Sequence, residues 1–440
     1  MVSYDIRFIT SSFPYCISEE HMNNNKGNCK PLTNRWQITR LAMKPFATII
    51  FVILVLGALN LTPVLSFLVD DITIRSSGSI AIILPLHVEG RYIKDVFNNT
   101  VVLRGVNQEG FLDDPDAWWN PEGGGYTSGF GVWNPDAVKY NLDCMKSWGC
   151  NVLRLHTNIQ WWIENTNNYR QHIKDVIAWS GERGIYVIFE PFCVNGGTQY
   201  EMPFPPYIPP EQEVIMPSEQ AFIDYWTSVA TELKSSPNVL FELYNEPHGN
   251  TTARDLWFDA VQKCIDAIRA TGAEQIIIVQ WGYGVWCNLN YPPPANTAAT
   301  MDWVELYPLS DPQNNIVYSF HNYRGDFHKT VPTRVNVWEY EDIKLGLQYC
   351  LVDYVLNNLT KPVLCGEIGA NMWTTGEGLT QELAYFNNSL TIYNEWNISY
   401  LAWVWTIPAH MKHGVLQNGY PWLPPPNEAG QILIASLTPE

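Results

Sequence analysis

Short apolar runs, each about one strand long, recur through residues 80–440 and alternate with stretches whose apolar positions repeat every three to four residues. The runs fall at 101–106, 151–155, 186–189, 239–244, 275–279, 316–320, 363–365 and 400–405. Their branched and aromatic content, with little alternation, reads as strands buried on both faces. Helix starts are marked at Asn134-Pro135-Asp136 and Pro217-Ser218-Glu219, and helical patterns cover 255–270, 340–357 and 380–395. Ahead of the first run, residues 88–107 read as a hairpin that turns at Asn98-Asn99 and feeds a buried strand. Eight strands separated by helices predict one (β/α)8 barrel of the α/β class, with chemistry on the loops that follow the strands. An open doubly wound sheet would use the same elements, but no GxGxxG phosphate loop accompanies them. The segments after strands are also long: 111–133, 193–216, 281–315 and 406–428, with a Pro-rich wall at 202–210.

Two of these runs end in a glutamate. The fourth leads into Tyr244-Asn245-Glu246-Pro247, where proline stops the strand and a helical pattern opens near Thr251. The seventh continues into Gly366-Glu367-Ile368-Gly369, whose glycines admit close neighbours. Either glutamate alone could be a solvated turn residue. Two at strand ends of one barrel face one crevice, where different surroundings can assign one the acid/base role and the other the nucleophile role.

Composition changes the picture in three ways. A formal net charge of −18, with 26 Lys plus Arg, excludes a phosphate-neutralising surface and so a nucleic-acid partner. The 19 Trp and 23 Tyr exceed what one core needs, and loop aromatics commonly stack on sugar rings. Trp118, Trp119, Trp133, Trp161, Trp162, Trp281 and Trp286 are candidates as a group. Of nine Cys, seven follow residue 69, an odd number that argues against a complete disulfide framework while leaving room for one or two bridges.

Residues 1–43 are polar and irregular, read as unstructured or as an over-extended start. Residues 44–69 hold a continuous apolar stretch behind Arg35, Arg40 and Lys44, which reads as a secretory signal cleaved near Ser66 or, alternatively, as a membrane anchor. Either reading puts the remainder outside the cytoplasm, secreted or held at the outer face of the cell membrane. Sequons at Asn98, Asn250, Asn358, Asn387 and Asn397 agree.

In order, Leu103-Arg-Gly-Val-Asn107, Val152-Leu-Arg154-Leu, Tyr244-Asn245-Glu246-Pro247, His321-Asn-Tyr323, Gly366-Glu367 and Ala402-Trp-Val-Trp405-Thr carry a resemblance to family 5 glycoside hydrolases of the cellulase type. The resemblance spans residues 88–437. It implies a secreted enzyme that cuts β-glycosidic bonds in a polysaccharide, with Glu246 as acid/base and Glu367 as nucleophile. Arg154 would then keep Glu367 ionised by its opposite charge. Asn245 would bind the sugar hydroxyl beside the cleaved bond, Tyr323 would donate to Glu367, and His321 would meet Glu246 or the sugar. Trp405, or alternatively Trp403, would floor the sugar site. The third strand departs from the family, since Val187-Ile-Phe-Glu-Pro-Phe192 ends without the expected histidine. No metal or organic cofactor is needed for this chemistry, and the acidic trio Asp113, Asp114 and Asp116 reads as a polar loop before a calcium site. An endo-β-1,4-glucanase is the first expectation. A β-mannanase or β-mannosidase, a transglycosylase and a non-catalytic carbohydrate-binding protein are the alternatives.

Overall fold

The computed structural model describes residues 83–109, 133–194, 202–206, 215–282, 300–324, 338–406, 412–417 and 425–437. The chain divides into two compact units, Met1–Ser79 and Ile80–Glu440, and the first lies outside the described residues. The signal or anchor segment at 44–69 belongs to that unit, and the acidic trio, in the second unit, also falls outside the described residues. No described helix is long and apolar enough to cross a membrane.

The second unit opens with an antiparallel pair, β1 (His87–Glu89) and β2 (Tyr92–Lys94). Eight parallel strands then close into a ring: β3 (Arg104–Gln108), β4 (Val152–Asn158), β5 (Tyr186–Cys193), β6 (Val239–Glu242), β7 (Ile277–Gln280), β8 (Ile316–Tyr323), β9 (Val363–Gly369) and β10 (Ser399–Ala402). Each falls on an apolar run, and β10 closes the ring by pairing with β3. This is the (β/α)8 barrel that the pattern predicts.

Local chemistry explains several element ends. Asn134 caps the helix Pro135–Trp148 by accepting from Asp136 and Ala137 N–H, and Pro135 loses no bond at the first helical position. Ser218 and Asn250 cap the helices Glu219–Leu233 and Thr251–Ala270 in the same way. Two expectations are corrected. The hairpin turns at Gly90-Arg91, where Gly90 takes φ 58°; a second turn is centred on Val96-Phe97, closed by Asn98 N–H donating to Asp95 O and flanked by the bridge between Lys94 and Thr100. The pattern at 340–357 is two helices, Tyr340–Tyr349 and Val352–Asn357, broken where Leu351 turns left-handed at φ 65°.

The barrel interior is layered. Its lower layer is aliphatic: Leu103, Val152, Ile188, Leu240, Ile278, Val317, Leu364 and Leu401, with Leu86 and Ile93 of the hairpin region plugging the bottom. Inward positions recur every second residue. One step up they become Arg154, Glu190, Glu242, Gln280 and Ser319, all buried. A much larger apolar shell lies between the strands and the helices. It contains five of the six cysteines among the described residues, Cys144, Cys150, Cys264, Cys350 and Cys365; Cys193 is buried as well, and no disulfide joins any of the six.

Candidate active site

Arg154 is the hub of the polar layer, with no exposed surface. Its Nε and Nη2 donate to the two oxygens of Glu242, at 2.6 and 3.0 Å. Nη2 also donates to Asn245 Oδ1 at 2.8 Å, and Nη1 donates to Asn107 Oδ1 at 3.0 Å and to Glu367 Oε1 at 2.8 Å. One planar cation thus ties three other strands, β3, β6 and β9, to β4, a task that suits the fixed fork of a guanidinium.

Glu367 reaches the crevice because β9 carries an extra residue there. Phe320 pairs with Cys365 and His321 with Glu367, leaving Gly366 as the bulged residue. A side chain at 366 would collide with the His321 ring and Ser319 Oγ, each 2.9 Å from where its Cβ would lie, so glycine is required. Tyr323 Oη donates to Glu367 Oε2 at 2.8 Å.

Glu246 stands beyond the end of β6 with φ 46°, a left-handed conformation uncommon for glutamate and of the kind found at functional sites. His321 Nδ1 lies 2.6 Å from Glu246 Oε1 and 3.5 Å from Glu367 Oε2. Burial and the nearby Arg154 hold His321 neutral, its pKa well below the ordinary value. Its Nε2 has no partner among the described residues, which favours the proton on Nδ1, directed at Glu246. One ligand atom from each of Glu246, His321 and Glu367 lies within 4.8 Å of the others. A metal ion could bridge that spacing, but both Glu367 oxygens are already engaged and the Arg154 cation stands beside them.

Electrostatics depart from expectation in one respect. Arg154 does favour the ionised form of Glu367, but burial outweighs it, and the carboxyl is lifted to about 7. The physical reason is that one guanidinium is shared among Glu190, Glu242 and Glu367. Burial raises the Glu242 carboxyl as well.

A cavity of about 430 Å³ opens above this layer. Glu246, Glu367, Tyr323, Phe192 and Trp403 line it, together with the charged and polar Arg324, Asn371, Glu382, Lys412 and His413. Phe192 stands where the third strand lacks histidine; it is the bulged residue of β5, opposite the step from Thr157 to Asn158. His413 stacks on Tyr323 at 4.7 Å.

The structure therefore brings together Arg154, Asn245, Glu246, His321, Tyr323 and Glu367. It does not bring Trp405, which is corrected here: Trp405 is fully buried outside the ring, donates to Asn141 Oδ1 at 2.9 Å and packs edge-on to Trp148. Trp403 occupies the crevice instead, stacked on Phe192 and edge-on to His156. Strand β10 ends at Ala402, so strand alternation does not carry to residue 405. Trp133 stacks on His172, Trp161 packs on Tyr169, Trp162 donates to Ser228 and Trp281 packs on Phe258, all away from the crevice. Trp118, Trp119 and Trp286 lie outside the described residues. Sequence reading missed Glu190, Glu242 and His156, for which the available signal was a charged or polar residue inside an otherwise apolar run.

Comparison with known proteins gives the same family from independent information. The family model for cellulase, glycosyl hydrolase family 5, matches residues 116–408. Endoglucanase A of Butyrivibrio fibrisolvens is 24% identical over 383 residues, covering 82% of this chain and 75% of that protein. Endoglucanase 3 of Humicola insolens is 32% identical over 161 residues, and there the chain spans 34% of the relative's length. Mannan endo-1,4-beta-mannosidase of Cellvibrio japonicus is 22% identical over 325 residues, 73% of this chain and 59% of that protein. Among solved structures, the hyperthermophilic endocellulase of Pyrococcus horikoshii shares the fold with a TM-score of 0.61 at 19% identity, covering 82% of this chain and 100% of that one. With two-thirds of its length matched by one family model and a barrel to fit it, the chain belongs to the cellulase family, glycosyl hydrolase family 5.

Proposed function

We propose that the protein is an endo-β-1,4-glucanase that hydrolyses glucan chains with retention of anomeric configuration. The observation that carries this reading is the close approach of Glu246 and Glu367, whose oxygens come within 4.8 Å across one crevice. Retaining glycosidases set their carboxyl groups roughly 5–5.5 Å apart, whereas inverting enzymes leave room for a water between them. Glu367 attacks the anomeric carbon, and Glu246 protonates the departing oxygen. Glu246 then takes a proton from the water that releases the glycosyl-enzyme. His321 holds Glu246 by one oxygen, and the carboxyl lines the cavity in which a glycosidic oxygen would sit. Because Arg154 takes the Asn245 oxygen, any bond from this side chain to a sugar hydroxyl comes from its amide N–H. The substrate is a polysaccharide, and the five sequon asparagines, all exposed, support export.

A product profile on carboxymethyl-cellulose, barley β-glucan and galactomannan tests the reading. Short oligosaccharides from the glucans are expected. Faster release from galactomannan would instead favour the mannanase reading, which the Cellvibrio relative keeps open. Binding without turnover of any of them would leave a carbohydrate-binding protein.

The two tryptophans separate cleanly. Trp403→Ala is expected to lower kcat/KM about 10- to 100-fold through loss of ring stacking. Trp405→Phe, which removes the bond to Asn141, should cost about 1 kcal/mol of stability and leave kcat/KM unchanged. The reverse pattern in paired kinetics and thermal melts would return the sugar floor to Trp405.

A further inference from the structure

Glu190 is a fully buried acid for which the two-glutamate chemistry has no use. It sits on β5, one register step above Ile188, and its Oε2 lies 2.7 Å from His156 Nδ1 and 3.9 Å from Arg154 Nη2. His156, equally buried, places its other nitrogen 3.1 Å from Asn107 Oδ1. The Asn107 amide in turn donates to Gly366 O at 3.0 Å, directly before Glu367, and to Leu401 O and Ala402 O, directly before Trp403. The His156 ring also meets both crevice aromatics edge-on, Phe192 at 5.1 Å and Trp403 at 5.0 Å.

We propose that Glu190, His156 and Asn107 form a positioning relay that runs from β5 through β4 and β3 to β9 and β10, and fixes the backbone carrying Glu367 and Trp403. The relay rests on the glucanase reading for its purpose, but its proton arrangement stands by itself.

Charge balance decides which carboxyl holds a proton. Glu190, Glu242 and Glu367 surround one guanidinium, and three buried anions on one cation are strongly disfavoured. Glu242 receives two bonds from Arg154, and Glu367 receives one from Arg154 and one from Tyr323. Glu190 receives no aligned N–H from any described residue. It is the least stabilised as an anion, and burial lifts it to about 8. The same surroundings, with Arg154, keep His156 neutral. Tyr169 and Tyr225 also face Glu190; burial first, and Glu190 after it, disfavour their anions. In the proposed relay a protonated Glu190 donates from Oε2 to Nδ1 across their 2.7 Å contact, and the Nε2–H of His156 donates to Asn107. When Glu190 ionises, its proton passes to Nδ1, the proton on Nε2 is released to solvent in its place, and a bare Nε2 then faces the Asn107 oxygen and Arg154 Nη1, 3.4 Å away. Each form of the relay therefore has its own histidine tautomer.

Two measurements test this. Histidine ¹⁵N spectra of the whole protein, with His156→Gln to assign the signal, should show the Nε2–H tautomer at pH 6 and a change near pH 8 that is absent from Glu190→Gln. A His156 signal that does not move with pH, or that shows Nδ1–H at pH 6, overturns the relay whatever the enzyme's substrate. In kinetics on barley β-glucan, Glu190→Gln keeps a neutral hydrogen-bonding group and should stay within about 3-fold of the parent at pH 6, while Glu190→Ala loses about 10-fold or more in kcat with KM little changed. At pH 9 Glu190→Gln should retain about 5-fold more of its pH 6 rate than the parent does. Equal damage in Gln and Ala variants at every pH, with their melting temperatures kept, overturns it as well. Absence of turnover in the parent would count against the glucanase reading alone, because the tautomer measurement needs no substrate.

Discussion

Glu367→Gln is expected to lower kcat on a soluble β-glucan by on the order of 10³-fold or more, because the amide cannot attack the anomeric carbon. Glu246→Gln should lose a comparable factor on natural glucan, and far less on an aryl glycoside whose leaving group departs without a proton. Both variants keep the size and most hydrogen bonds of the side chain, so melting temperatures separate lost chemistry from lost fold. The sign of the stability change at Glu367 is itself a test. A carboxyl raised to about 7 holds its proton more tightly in the folded protein than in the unfolded chain. The folded state then binds more protons between the unfolded value of 4.5 and about 7, so stability falls as pH rises through that window and stays lower above it. Glu367→Gln removes this loss and should melt higher than the parent at pH 8, trading activity for stability. A lower melting temperature at pH 8 would mean that the Arg154 bond stabilises the carboxylate by more than burial costs it.

Arg154→Ala should have the largest effect on folding, about 3–5 kcal/mol of destabilisation in denaturant unfolding, because it leaves Glu242 and Glu367 buried without their cation. Arg154→Lys is not a mild change here. A single ammonium cannot replace bonds to Glu242, Asn245, Asn107 and Glu367 at once. Combining Arg154→Met with Glu242→Gln should recover part of the stability and none of the activity, since it removes the stranded charge along with its partner. If the double variant is no more stable than Arg154→Ala, the cost lies in packing around the guanidinium stem and not in charge.

Much of this was readable in the chain because buried parallel strands leave a plain signature. All eight apolar runs became barrel strands, and Asn134, Ser218 and Asn250 mark helix starts by a side chain that accepts a backbone N–H. Glu246 and Glu367 stood out because each interrupts or ends such a run. Glu190 and Glu242 interrupt runs as well, yet nothing in a run shows whether an inward acid meets substrate or another side chain. Only the ring closure puts both beside Arg154. The misplacement of the sugar floor has a similar origin, since the spacing of Trp403 and Trp405 implies one face only while a strand continues. At residues 340–357 the apolar spacing survives the break at Leu351, because packing against the barrel repeats on both sides of it.

Pairing of β3 with β10 has a consequence for how the protein comes into being. Asn107, near the beginning of the ring, donates to carbonyls at Leu401 and Ala402, near its end. Glu367, Arg154 and Trp403 are therefore brought into their final places only when residues some three hundred positions apart in synthesis meet. A growing polypeptide has every strand up to β9 available before Trp403 leaves the ribosome, and still has no finished crevice. Enzyme activity should consequently appear in a single step as nascent chains lengthen past β10, with no partially active precursor along the way.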